Sequence, residues 1–143
     1  MIIDKNFKVY LVLDTDTLET VLIRIDNNKN KIVFVVDENQ KVLGSISDGD
    51  IRRWMLKQDV PNFQILSTKI CNKDFQFILE DNLNNRNNNI INSKLSIAPV
   101  LNKKNQIVAI ARKTPDYFSI GKFNISKELP TFIIAEIGNN HNG

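Results

Sequence analysis

Gly44, Ser47, Asp50 and Arg53 carry most of the chemical content of this chain. They fall three residues apart in Gly44-Ser45-Ile46-Ser47-Asp48-Gly49-Asp50-Ile51-Arg52-Arg53. A hydroxyl followed three residues later by a carboxylate can do either of two things. It can cap a helix, the hydroxyl accepting from the backbone N–H of the acid and the acid accepting from that of the hydroxyl residue. It can also hold a polar ligand. A carboxylate accepts two hydrogen bonds from a diol, and the first turn of a helix favours a phosphate through its free N–H groups and its dipole. Gly44 would allow a ligand close to the backbone, and Arg52 or Arg53 could neutralise a phosphate.

Either role requires a strand that ends at Ser47 and a helix that starts there. Val42, Leu43 and Ile46 are strand-type residues. Ile51, Trp54 and Met55 then recur at i, i+3, i+4, one face of a helix; it ends near Gln58, and this face is expected to meet a partner unit. Upstream, Val9 to Leu13 reads as a strand, and Asp16 with Glu19 as a capping box. Leu18, Val21, Leu22 and Ile25 predict a helix over 17–27, and the continuous apolar run Ile32 to Val36 a strand covered on both faces. Asp37 to Lys41 is a turn.

The same order recurs under a shift of 65 residues, which puts Lys8 on Lys73, Leu18 on Leu83, Ile25 on Ile90 and Val42-Leu43 on Ile107-Val108. The second unit reads as strand Phe75–Leu79, an Asn-rich helix over 81–92, strand Leu95–Leu101, turn 102–106 and strand Ile107–Ala111. Each β-α-β-β-α unit is too small to bury its own sheet, so two related by a pseudo-twofold axis are expected to bury their sheets against each other. The fold class is α+β. The second corner has lost its polar groups, because Gly44 falls on Ala109, Ser47 on Arg112 and Asp50 on Pro115. One ligand site per chain is therefore expected, at the first corner.

Gly44-x-x-Ser47-x-x-Asp50-Ile51-Arg52, with the apolar run and turn before it, resembles the signature of the cystathionine β-synthase (CBS) domain. Ala98-Pro99-Val100-Leu101-Asn102 resembles the same family's strand and turn. CBS domains come in tandem as Bateman modules. The resemblance implies units at 7–58 and 73–118 joined by a linker over 59–72. It also implies an adenine nucleotide (AMP, ADP or ATP) held at Gly44, Ser47, Asp50 and Arg53, and a homodimer formed through the CBS units. The alternative is a module of the same fold that binds no ligand and only dimerises its protein.

Residues 119–130 read as a linker. The following Thr131 to Gly143, an apolar strand running into a Gly/Asn-rich turn, resembles the start of the sialic acid synthase (N-acetylneuraminate synthase) family. These enzymes condense phosphoenolpyruvate with an N-acetylated amino sugar on a (β/α)₈ barrel with a divalent metal. The resemblance implies that 131–143 begin such a barrel and that Glu136 faces substrate in the intact enzyme. This chain itself offers no nucleophile–base pair and no metal cluster, and reads as regulatory, not catalytic. His141, the sole histidine, reads as a loop residue. Phe132 to Ile137 is expected to be disordered or paired with another chain.

Composition narrows the partners. The chain has 143 residues with 19 basic and 16 acidic side chains, net +3, and the two signs alternate without a basic run. That pattern argues against a nucleic-acid surface. Cys71 is the only cysteine, which rules out a disulfide within the chain and a cysteine metal site. No apolar run reaches the roughly 20 residues a membrane span needs, and Met1 to Lys5 lacks the character of a signal peptide, so the chain reads as cytoplasmic and free of the membrane. Its twenty asparagines are taken as compositional bias.

Overall fold

The computed structural model describes residues 1–28, 30–83, 95–113, 118–120 and 123–125. It divides into two compact units, Met1–Lys113 and Thr114–Gly143.

In the first unit, β1 (Ile2–Asp4) precedes β2 (Leu11–Leu13), α1 (Leu18–Asn27), β3 (Ile32–Val36), β4 (Val42–Ser47) and α2 (Asp48–Met55); β5 (Ile78–Leu79), β6 (Ile97–Leu101) and β7 (Ile107–Arg112) follow. One sheet has the order β2-β3-β4, the other β1-β7-β6-β5. The mixed α+β character and the repeat are as expected from the sequence. In each half a short strand runs parallel to the middle strand, which forms an antiparallel hairpin with the last.

The two hairpins superpose residue for residue under the 65-residue shift. Both carry a bulge at the same place, between Val35 and Val36 and between Val100 and Leu101. Their turns are built alike. Asp37 Oδ1 accepts from the N–H groups of Asn39 and Lys41, both at 2.9 Å, and Asn102 Oδ1 accepts from Lys104 and Gln106 at 2.9 and 3.0 Å. A short side-chain carbonyl that mimics the backbone acceptor is what Asp and Asn bring to turns. Gln40 and Asn105 both take positive φ, 62° and 59°. The turns also bond to each other reciprocally: Val42 N–H donates to Asn105 O at 3.0 Å and Ile107 N–H to Gln40 O at 3.4 Å. Each bond maps onto the other under the shift, as a pseudo-twofold axis through the turns requires.

The register departs from the shift in one strand. Leu13 opposes Val36, whereas Leu79, not Ile78, opposes Leu101. The second half has one residue fewer between its first two strands, so β5 aligns at 66. Burial follows the corrected register: Val12 and Ile78 are buried, Leu13 and Leu79 exposed.

The core lies in three clusters. Phe34, Val36, Val42, Ile97, Leu101, Ile107 and Ile110 meet between the halves. Val12, Leu18, Val21, Ile25, Val33, Val35, Ile46 and Ile51 pack the first sheet under α1 and α2. Ile78, Ala98, Val100, Ala109 and Ala111 line the far face of the second. Each large apolar side chain removed from water contributes about 1.5–3 kcal/mol. Trp54 and Met55 are partly buried against the second of these clusters, as core packing requires.

The leading segments change places. β1 opens the first half in sequence but pairs with β7 of the second, Asp4 opposite Ile110. Asn72 leads into the second half but pairs with Ser45 on β4 of the first, its N–H donating to Ser45 O at 2.8 Å. Other local expectations give way to tertiary contacts. Lys8–Tyr10 is a 3-10 turn instead of strand. The strand expected over Phe75–Leu79 begins only at Ile78, and α2 ends at Met55. Asp16 does not cap α1: its Oδ2 accepts from Leu13 N–H at 2.7 Å, and Glu19 accepts from Gln64. Where a helix is expected over 81–92, Glu80–Asn82 is a 3-10 turn, and 84–94 lie outside the described residues.

In the second unit, β8 (Phe118–Ile120) and β9 (Phe123–Ile125) pair antiparallel with Ser119 opposite Asn124, so part of the stretch read as a linker is extended and paired. The expectations for Glu136, His141 and the strand Phe132 to Ile137 lie outside the described residues. No helix among the described residues is long and apolar enough to cross a membrane.

Candidate functional site

The corner between β4 and α2 is a complete capping box. Ser47 Oγ accepts from Asp50 N–H at 3.2 Å, Asp50 Oδ2 accepts from Ser47 N–H at 2.8 Å, and Ser47 Oγ donates to the same Oδ2 at 2.6 Å. Arg53 Nη2 donates to Asp50 Oδ1 at 2.7 Å. Arg52 is paired instead with Asp48, one turn back. Gly49 leaves the space in which the Arg53 guanidinium lies: a Cβ there would come within 3.3 Å of Nη1.

The electrostatics of Asp50 follow from these contacts. Burial alone would push its carboxyl up. The two Ser47 bonds and the adjacent Arg53 outweigh that and hold it below the ordinary value of 3.8, so the group is a carboxylate near neutral pH. A carboxylate has about four acceptor positions. Oδ2 uses two on Ser47 and Oδ1 one on Arg53, which leaves a single position open to a ligand. Binding both hydroxyls of a diol would need Arg53 to swing away, and its side chain, 68% exposed, has room to do so.

Ser47, Asp50 and Arg53 open onto one cavity of about 280 Å³. Ser45, Asn72, Asp74 and Gln76 add polar groups, and Ile32, Phe34, Phe75, Leu95 and Ile97 supply an apolar wall. Residues of both halves contribute. Three of the four residues singled out in the sequence are thus brought together. Gly44 is not among the lining residues. It faces the crossing strap, where a Cβ would meet Asn72 O at 2.7 Å and Cys71 Sγ at 3.0 Å; the close approach it permits is that of the chain's own backbone. Cys71 packs here against the first half, burial raising its thiol. Sequence reasoning missed Ser45, Asp74, Phe75 and Gln76; for Ser45 the signal was available, a hydroxyl in an otherwise apolar strand.

The equivalent corner after β7 is built differently. Arg112 stands where Ser47 stands, and its Nη2 donates to Asp4 Oδ2 of β1 at 2.9 Å. Among the described residues no group of three or more His, Cys, Asp or Glu could hold a metal.

The comparisons with known proteins agree with this geometry. Residues 5–57 match the CBS domain family. The matched residues take in the whole β4–α2 corner. The fold of the first unit is that of CBS-pair proteins. The CbpB protein of Listeria monocytogenes, solved in complex with c-di-AMP, aligns with a TM-score of 0.65 at 20% identity over 76% of this chain and 84% of that one. A CBS domain protein of Streptococcus pneumoniae aligns at 0.63 and 15% over 78% and 73%. OpuCA of Staphylococcus aureus aligns at 0.59 and 16% over 72% and 84%. At such identities the likeness is one of fold. No curated protein matches in sequence.

Proposed function

We propose that residues 1–113 are a regulatory CBS pair that binds one adenine nucleotide per chain in the Ser47–Asp50–Arg53 cavity and does no chemistry of its own. The observation that carries this reading is the shape of the cavity. A carboxylate with one free acceptor position and a mobile arginine lie at one end, and an apolar wall that includes Phe75 suits a base. Its 280 Å³ lies just below the range of about 300–1,000 Å³ usual for ligand pockets, which suits a single nucleoside phosphate and nothing larger. In this reading Asp50 accepts from a ribose hydroxyl, Arg53 turns to the phosphate, and the base lies against Phe34 and Phe75. That a CBS-pair neighbour of the same fold is solved with c-di-AMP adds support for an adenylate ligand.

The ligand would touch both the β4–α2 corner and the 72–76 segment that leads into β5. It therefore favours whichever spacing of the halves lets it reach both, and that is the means by which such a module passes a signal on. The enzyme we propose it regulates is a sialic acid synthase-like one, with Glu136 at its substrate face and a divalent metal of its own. That part rests on the resemblance of residues 131–143 alone.

The test is calorimetry with AMP, ADP, ATP, S-adenosylmethionine and c-di-AMP. Heat that Asp50→Ala abolishes supports the reading, and silence across the panel overturns it. The alternative, a ligand-free dimerisation module, then stands, and sedimentation of the chain as a dimer at every nucleotide concentration would support it.

A further inference from the structure

Ser45 is an anomaly in the strand that carries the site. It is polar although only 6% exposed. Its backbone N–H and C=O are spent on Asn72. The side chain lines the cavity beside Phe34, its cross-strand partner. The equivalent residue of the second half is Ile110, which is fully buried in the core between the halves. A hydroxyl that opens onto the cavity can bond water or a ligand there, whereas a position that serves only the core favours an aliphatic residue. The second half has that residue and the first does not.

Its place along the strand says what it could meet. Ser45 and Ser47 lie on the same face two residues apart, about 7 Å at 3.4 Å per residue. A ligand whose sugar is held at Ser47 and Asp50 reaches Ser45 with the far edge of its base, inside the apolar part of the cavity. A hydroxyl can donate to a ring nitrogen or accept from an exocyclic amine, and both are found on a purine edge.

We infer that Ser45 is a further ligand-contacting residue, its hydroxyl bonding the polar edge of the purine base; this rests on the nucleotide reading above. The test compares wild type, Ser45→Ala and Asp50→Ala by calorimetry against AMP and two analogues, one lacking the 6-amino group and one with carbon in place of N7. Wild type should prefer AMP over at least one analogue by about five- to tenfold, the worth of one hydrogen bond, and Ser45→Ala should lose that preference. Asp50→Ala should weaken all three ligands together. A thermal melt guards against misfolding, because a merely structural Ser45 would change the melting temperature and leave the AMP-to-analogue ratio alone. If Ser45→Ala keeps the wild-type ratio while Asp50→Ala still abolishes binding, the inference is wrong and the nucleotide reading survives. If wild type binds none of the three, both are wrong.

Discussion

After β4 the chain enters a helix whose cap, Ser47 with Asp50, opens onto a cavity; at the same point after β7, Arg112 reaches instead for Asp4. The hairpins that deliver these corners are copies down to the bulge and the positive φ of the turn. The difference therefore lies in a few side chains on one scaffold. In the first half a carboxylate faces a notch with an acceptor position to spare. In the second, an arginine is paired instead with an aspartate of the chain itself. A repeat preserves backbone geometry through its core and its turns, while a site survives only where its own polar groups do.

The strongest way to break this comparison is to remove the acid. Asp50→Ala should cost nucleotide affinity about a hundredfold, since a hydrogen bond to a charged group is worth about 1.5–3 kcal/mol and the Arg53 orientation goes with it; Arg112→Ala should leave affinity within error. Titration of both variants with the same nucleotide decides it, and equal losses would erase the distinction between the corners.

A second pair exchanges the residues at the crossing strap. Gly44→Ala drives a Cβ to 2.7 Å from a backbone oxygen, and should cost about 1–3 kcal/mol as overpacking does. Ala109→Gly, its mirror, should cost only about 0.5–1 kcal/mol, the entropy of a strand glycine. Urea midpoints of the two variants give both values.

The cap itself sharpens the comparison further. Ser47→Ala should lower stability by about 1 kcal/mol. The pH dependence has a definite sign. The folded carboxyl of Asp50 lies below its unfolded value of 3.8, so its contribution is complete above that value and is lost as pH falls through the lower folded one. Thermal melts taken from neutral pH to below 3.8 should therefore fall more steeply for wild type than for Asp50→Asn. The smallest effect belongs to the other corner. Arg112→Ala breaks a partly exposed ion pair and should lower stability, read from its urea midpoint, by no more than about 1 kcal/mol.

Much of this was legible in the residues. The turn chemistry of Asp37 and Asn102, the apolar runs of β3 and β6 and the Ser47–Asp50 box are local signals, and local signals survive folding. What was not legible depended on distant partners. Asp16 looked like a cap but is drawn to Leu13, and Gly44 looked like an opening for a ligand until Cys71 and Asn72 lay across it. The missing residue before β6 leaves no mark in the asparagine-rich stretch of sequence that precedes that strand. The aromatic and acidic wall at Asp74 and Phe75 comes from a segment that reads as lead-in to the other half.

The crossing of the leading segments links positions that are remote along the chain. Because β1 completes the sheet of the second half and Asn72 borders the sheet of the first, neither half is a separable piece. Trimming the first few residues would be felt a hundred positions downstream, at β7, and the β4–α2 corner would sense it only through the shared core. Cutting the chain between the halves should yield two fragments that fold only when mixed, each lending the other its missing border.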